Sequence, residues 1–267
     1  MGWAKYKEDN DSIINNRKFM KGIDPIQKAG NNNIPLNNYV GKNQNRMLPI
    51  FILADTSGSM EGEKIFKLNN ALREMIHTLS GIEDIRGVFK VCIITFGNNE
   101  VIIHQPLEDV NKIKLKELTA AGKTPLGKAI ETVINVIEDK TIIPSTAYFP
   151  TIVLISDGIP TDINLRRPTK EDFNNWQPIQ SISSSENRSS KCLRLAMGIG
   201  DDANEDMLRA FIANDSIRIF KANEASEIEA FFHWVTMTTV KRMEAPNPDD
   251  FSLIYDVEID TDDLPIG

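Results

Sequence analysis

The chain has 267 residues, 38 acidic and 30 basic side chains, a formal net charge of −8 and 41% hydrophobic residues. That length and apolar fraction suit one large globular domain or two small ones, and they exclude wholesale disorder. The acidic total argues against nucleic acid as a partner, because phosphate binding needs concentrated Lys and Arg.

The charge is unevenly spread. Residues 1–46 hold eight Lys/Arg, four Asp/Glu and ten asparagines with no sustained period, and they read as a polar, Asn-rich N-terminal arm. Trp3, Tyr6, Phe19 and Tyr39 are isolated side chains that could anchor it. Residues 47–243 are nearly balanced and form the main domain. Residues 244–267 hold eight Asp/Glu and no Lys/Arg, an acidic C-terminal tail. Its Phe251, Leu253, Ile254 and Tyr255 leave two readings open, a solvated tail or a docking peptide added at a sheet edge.

Within the main domain, Leu48 to Ala54 is a continuous apolar run, expected for a strand buried on both faces. The turn-rich Asp55-Thr56-Ser57-Gly58-Ser59-Met60 follows. Ile65, Leu68, Leu72, Met75, Ile76 and Leu79 then recur at helical spacing and predict a helix over 62–80. Val88 to Phe96 and Val101 to His104 read as strands joined by the turn Gly97-Asn98-Asn99-Glu100. A helix is expected within 107–118. A clearer one begins at Leu126, with Pro125 at its first position and Thr124 as its N-cap. Thr151 to Ser156 is a buried strand. Residues 158–190 are polar, Ser/Asn-rich and too long for an ordinary connection. A strand over 192–199, a helix over 203–213, a strand over 217–220 and a helix over 225–240 complete the chain. Strands alternating with helices predict an α/β fold: a central, mostly parallel sheet with one antiparallel edge strand and helices on both faces.

Cys92 and Cys192 lie in apolar runs and read as buried free thiols, which suits a reducing compartment. The N-terminus shows no apolar signal region, and Tyr6 stands where a myristoylation motif needs Ser or Thr. No apolar run is long enough to span a membrane. The expectation is a cytoplasmic protein.

Three places carry chemistry: Asp55-x-Ser57-x-Ser59 after the first strand, Thr124 before a helix, and Asp157 after a strand. All fall at strand C-termini or helix N-termini, the edge where open parallel sheets bind ligands. Taken singly, each has a plain structural reading as a capping turn, an N-cap or a turn residue. Together their hydroxyl and carboxylate oxygens make a hard donor set suited to Mg²⁺ or Mn²⁺.

The segments DTSGSMEGEKI (55–65), GKTPLGKAI (122–130) and LISDGIPTD (154–162) resemble the metal-ion-dependent adhesion site (MIDAS) of von Willebrand factor A (VWA) domains. With GIGDDA (198–203), the pattern is most similar to bacterial tellurite-resistance TerY-type proteins. The resemblance covers roughly residues 47–240 and implies a Rossmann-like VWA fold. It also implies Ser57, Ser59 and Thr124 as direct metal ligands, with Asp55 and Asp157 acting through water. A partner protein's Asp or Glu then completes the coordination. The resemblance further implies a Ser/Thr kinase and a PP2C-type phosphatase as partners, in a stress-response or phage-defence setting. Other readings are a VWA adaptor for a MoxR-type AAA+ ATPase and, ranked lower, a Mg²⁺-dependent hydrolase.

Several signals are set aside. Gly122-Lys123-Thr124 ends like a phosphate-binding loop, but Glu117 stands where that loop needs glycine. Gly198-Ile199-Gly200 lacks the third glycine of a dinucleotide fingerprint. Ser57 occupies the position of the second aspartate of haloacid-dehalogenase-type phosphatases. His77, His104 and His233 fall on a helix, a strand and the last helix, so a base for Ser57 is missing. No enzyme activity is expected of this chain. In the 158–190 segment, Arg166, Arg167, Phe173 and Trp176 form a candidate recognition cluster beside the metal edge.

Overall fold

The computed structural model describes residues 46–82, 87–200, 203–222 and 226–254. The polar arm, up to residue 45, and residues 255–267 of the acidic segment lie outside them. Six strands form one sheet: β1 (Met47–Asp55), β2 (Val88–Gly97), β3 (Glu100–Asp109), β4 (Thr151–Ser156), β5 (Leu193–Ile199) and β6 (Phe220–Ala222). Their spatial order is β3-β2-β1-β4-β5-β6. Only the β2–β3 pair is antiparallel. The long helices are α1 (Glu63–Ser80), α2 (Leu126–Glu138), α5 (Glu205–Ile212) and α6 (Ser226–Glu244). This is the expected mostly parallel sheet, flanked by helices, with one antiparallel edge pair.

The core follows from the patterning. β1 lies between β2 and β4, and Leu48 and Ile50 to Ala54 are fully buried because both its faces are covered. α1 buries Leu68, Leu72, Met75 and Leu79 from one stripe and packs with α6. In α6, Ile228, Phe231, Phe232 and Val235 face inward, as their spacing predicts. The β2–β3 hairpin turns on Asn98 and Asn99, both left-handed at φ 47° and 63°, as a two-residue turn of matching twist requires.

Two segments differ from expectation, the first for a nonlocal reason and the second through local capping. The helix expected within 107–118 does not form. β3 runs on to Asp109, a short 3₁₀ turn covers Val110–Lys112, and the chain is then irregular to the start of α2. Asn69 of α1 captures this stretch: its side chain accepts the Leu118 N–H at 2.8 Å and donates to the Leu118 carbonyl at 3.0 Å. Those backbone groups are thereby lost to helical bonding. The 158–190 segment is partly helical, with α3 (Lys170–Asn174) and α4 (Gln177–Ser183). A capping box on Thr169 and Asp172 starts α3.

Opposite the candidate site, the fully buried Arg242 donates to the Pro248 and Phe149 carbonyls and to the Thr151 hydroxyl, at 3.0, 2.9 and 2.6 Å. Asp249 pairs with Arg46 at 3.1 Å. Residues 244–254, the start of the acidic segment, are thus bonded to the lower edge of the sheet, and Ile254 is buried there. Cys92 and Cys192 are buried and free, and burial pushes both thiols up to about 12. No helix among the described residues is long and apolar enough to cross a membrane.

Candidate metal centre

Strand order reverses between β1 and β4. The connection from β1 through α1 leads to β2 on one side, while β4 lies on the other. At such a switch point the loops beyond the two strands part and leave a crevice. Asp55 ends β1 and Asp157 follows β4, so the topology alone places these carboxylates at one crevice.

The loop after β1 is fixed mainly by backbone. Thr56 N–H donates to the Phe96 carbonyl (3.0 Å), and the Thr56 carbonyl accepts the Ala121 N–H (2.8 Å). Gly58 N–H donates to the Gly122 carbonyl (3.0 Å). Three segments distant in sequence are therefore stitched into one layer. Glycine is required where they touch. At Gly97 a Cβ would overlap the Thr56 carbonyl, and at Gly122 (φ 69°) it would lie 2.6 Å from Asn98 Cα.

Asp55 is fully buried. Its Oδ1 accepts the Ser57 N–H and its Oδ2 the Ser156 hydroxyl, both at 2.8 Å. The Ser57 and Ser59 hydroxyls lie 3.0 Å apart, and Ser59 donates to Asp157 Oδ1 at 2.7 Å. Lys64 Nζ reaches Asp157 Oδ2 at 2.8 Å. Four of the five expected residues thus form one hydrogen-bonded chain. Thr124 joins through the main chain instead: its carbonyl accepts the Thr161 N–H at 2.9 Å, and Gly122 beside it holds Gly58.

Thr124 is not the N-cap of α2. That helix has no side-chain cap from its own N-cap position, Pro125. Asp162, from beyond Asp157, accepts the Lys128 N–H at 3.1 Å and supplies a carboxylate at the positive end of the helix. The Thr124 hydroxyl is thereby left for other work in a buried position.

Burial pushes the Asp55 carboxyl up from 3.8 to about 6; hydrogen bonds from Ser57 and Ser156 oppose this, and nearby Asp157 adds to it. The folded state then keeps this proton to higher pH than the unfolded chain does. Raising the pH from about 4 to about 6 therefore removes about 2 kcal/mol of metal-free stability through this one group. Urea unfolding in EDTA should show that decline, and Asp55→Asn should flatten it. A wild-type profile that matches the variant's would contradict the burial of a chargeable Asp55.

Among the described residues, no group of three His, Cys, Asp or Glu side chains comes together to hold a metal. The donor set at the crevice is instead two serines, a threonine and two carboxylates, which fits a hard, oxygen-seeking divalent ion. The recognition cluster expected in 158–190 divides: Phe173 is fully buried and Trp176 packs against α2 at Gly127, while Arg166 and Arg167 are exposed. Ile159 and Leu165 of the same segment are also exposed. Sequence reasoning missed Ser156 and Lys64. Lys64 carried one signal, a cation in a helix's first turn, where the dipole disfavours it.

The sheet is thus Rossmann-like, with an oxygen-rich cluster at its switch point. Residues 50–159 match the model of the von Willebrand factor type A domain, and all five candidate residues lie within that range. Solved structures show the same fold. The ArnB paralog VWA2 from Sulfolobus acidocaldarius is 21% identical, with a TM-score of 0.52 over 70% of this chain and 44% of that one. A von Willebrand factor type A protein from Catenulispora acidiphila is 18% identical, with a TM-score of 0.54 over 72% and 42%. Proximal thread matrix protein 1 from the mussel byssus, with a zinc-occupied MIDAS motif, is 17% identical, with a TM-score of 0.51 over 73% and 48%. The chain spans less than half the length of these three proteins. None of the curated proteins compared matches it. The chain has the Rossmann-like fold of VWA domains, and residues 50–159 are similar to that family.

Proposed function

We propose that this chain is a metal-dependent protein-binding module whose site is Asp55, Ser57, Ser59, Thr124 and Asp157. The observation that carries the reading is the hydrogen-bonded run from Asp55 through Ser57 and Ser59 to Asp157 at the sheet's switch point. Ser57, Ser59 and Thr124 would hold Mg²⁺ or Mn²⁺ directly, and Asp55 and Asp157 through water. Neutral hydroxyls offset little of a divalent charge, so a bound ion supplies an electrophilic position that suits a carboxylate oxygen from a partner's Asp or Glu. Exposed Arg166 and Arg167 favour an acidic partner surface, and Ile159 and Leu165 give it apolar contact.

The reading is one of binding rather than catalysis. His104 contacts the Lys116 carbonyl, and His77 and His233 are exposed on helices. The motif resemblance to TerY-type proteins favours a role in a bacterial stress-response or defence system, with a Ser/Thr kinase and a PP2C-type phosphatase as partners. The two buried free thiols suit a cytoplasmic setting.

The test is capture of partners from native lysate, with Mg²⁺ or with EDTA, using wild type and Asp55→Ala. Partners should be retained by wild type in Mg²⁺ and lost in the other conditions. The same partners under every condition would sink the metal-bridged reading.

A further inference from the structure

Lys64 is the second residue of α1, at the positive end of the helix dipole, where an ammonium group is disfavoured by roughly 0.3–1 kcal/mol. Its side chain nevertheless turns toward the crevice. Nζ lies 2.8 Å from Asp157 Oδ2 and 3.7 Å from where a Cβ would stand on Gly200, at the end of β5. The Lys64 side chain is one-third exposed, whereas the Asp157 side chain is 1% exposed. Lys64 thus reaches from α1 over the strand ends to the carboxylate that also accepts the Ser59 hydroxyl.

The charges give this placement a consequence. Asp55 and Asp157 contribute two negative charges, and the three hydroxyls contribute none. A divalent ion cancels the pair, and among these groups Lys64 then leaves one net positive charge. Without Lys64 the ion and its two carboxylates sum to zero. The same ammonium opposes entry of the metal, since it is a cation already bound to one of the two carboxylates.

We propose that Lys64 is a specificity-determining residue of this edge, one that weakens metal binding while making the metal-loaded site selective for an anionic ligand group. The inference rests on the metal-dependent reading above. Lys64 acts through its charge, so arginine should replace it in part and methionine, similar in length and apolar, should not.

The experiment uses the whole chain at neutral pH and Mn²⁺ alone as the probe, with binding followed by the water-proton relaxation of the bound ion. Acetate is then added to displace the ion's remaining water. Lys64→Met should bind Mn²⁺ on the order of tenfold more tightly, the size expected for a partly solvated charge beside a divalent ion. It should also need severalfold more acetate for the same loss of relaxation enhancement. Lys64→Arg should stay near wild type in both measurements. Equal Mn²⁺ affinity in wild type and Lys64→Met, or equal acetate response, overturns the role of Lys64 alone. No Mn²⁺ binding by wild type or either variant overturns the metal reading and the role of Lys64 with it.

Discussion

Excess Mg²⁺ or Mn²⁺ is expected to raise the melting temperature of the wild-type protein by about 5–10 °C and to leave Asp55→Ala unmoved. A ligand that binds only the folded state at about a hundred times its dissociation constant adds about 2.7 kcal/mol. Asp55 is the group on which that gain depends. It is buried, holds the Ser57 backbone and the Ser156 hydroxyl on its two oxygens, and brings a negative charge that burial disfavours. A divalent ion relieves that penalty, so the gain should be larger at neutral pH than near pH 5, where much of Asp55 is already protonated. Asp55→Asn keeps the shape without the charge and should also fail to respond. An equal rise in wild type and both variants, by calorimetry or dye-based melting, would place the ion elsewhere.

Gly97→Ala should destabilise the protein by about 3 kcal/mol or more and remove metal binding as well. A Cβ there overlaps the Thr56 carbonyl, which is main chain and cannot turn aside. To make room, the Thr56 peptide must leave the Phe96 carbonyl and the Ala121 N–H, and Ser57 moves with it. Gly158→Ala is the matched control. It adjoins Asp157, yet a Cβ at Gly158 meets nothing within 4 Å, and the change should be nearly neutral. Chemical denaturation of the two variants separates them; similar losses in both would contradict the close contact at Gly97.

These two glycines also mark the limit of what the sequence discloses. Strands β1 and β4 are legible because an apolar run buried on both faces carries its own signature, and α1 because its stripe is local. The candidate residues are legible as a set because strand ends in an alternating α/β chain converge on one edge. The irregular course after β3 is not legible, because it depends on Asn69, 49 residues away from Leu118. The freeing of Thr124 from capping is hidden too, because Asp162 takes that role from 34 residues away from Lys128. Lys64 meets Asp157 across 93 residues, and no local period records such a meeting. Propensity sees neighbours in sequence; these positions are set by neighbours in space.

The main-chain stitching of Thr56 to Phe96 and Ala121, and of Gly58 to Gly122, bears on how such a surface can be changed. Because backbone atoms hold the platform, the exposed side chains that follow Asp157 in sequence are not what keeps it in shape. Exposed Ile159, Leu165, Arg166 and Arg167 can then be exchanged for other residues while the oxygen cluster beneath keeps its geometry. On the proposed function, the chemistry of capture would then be separate from the choice of what is captured. New partners could be selected from a library confined to those four exposed positions, with the platform left as it stands.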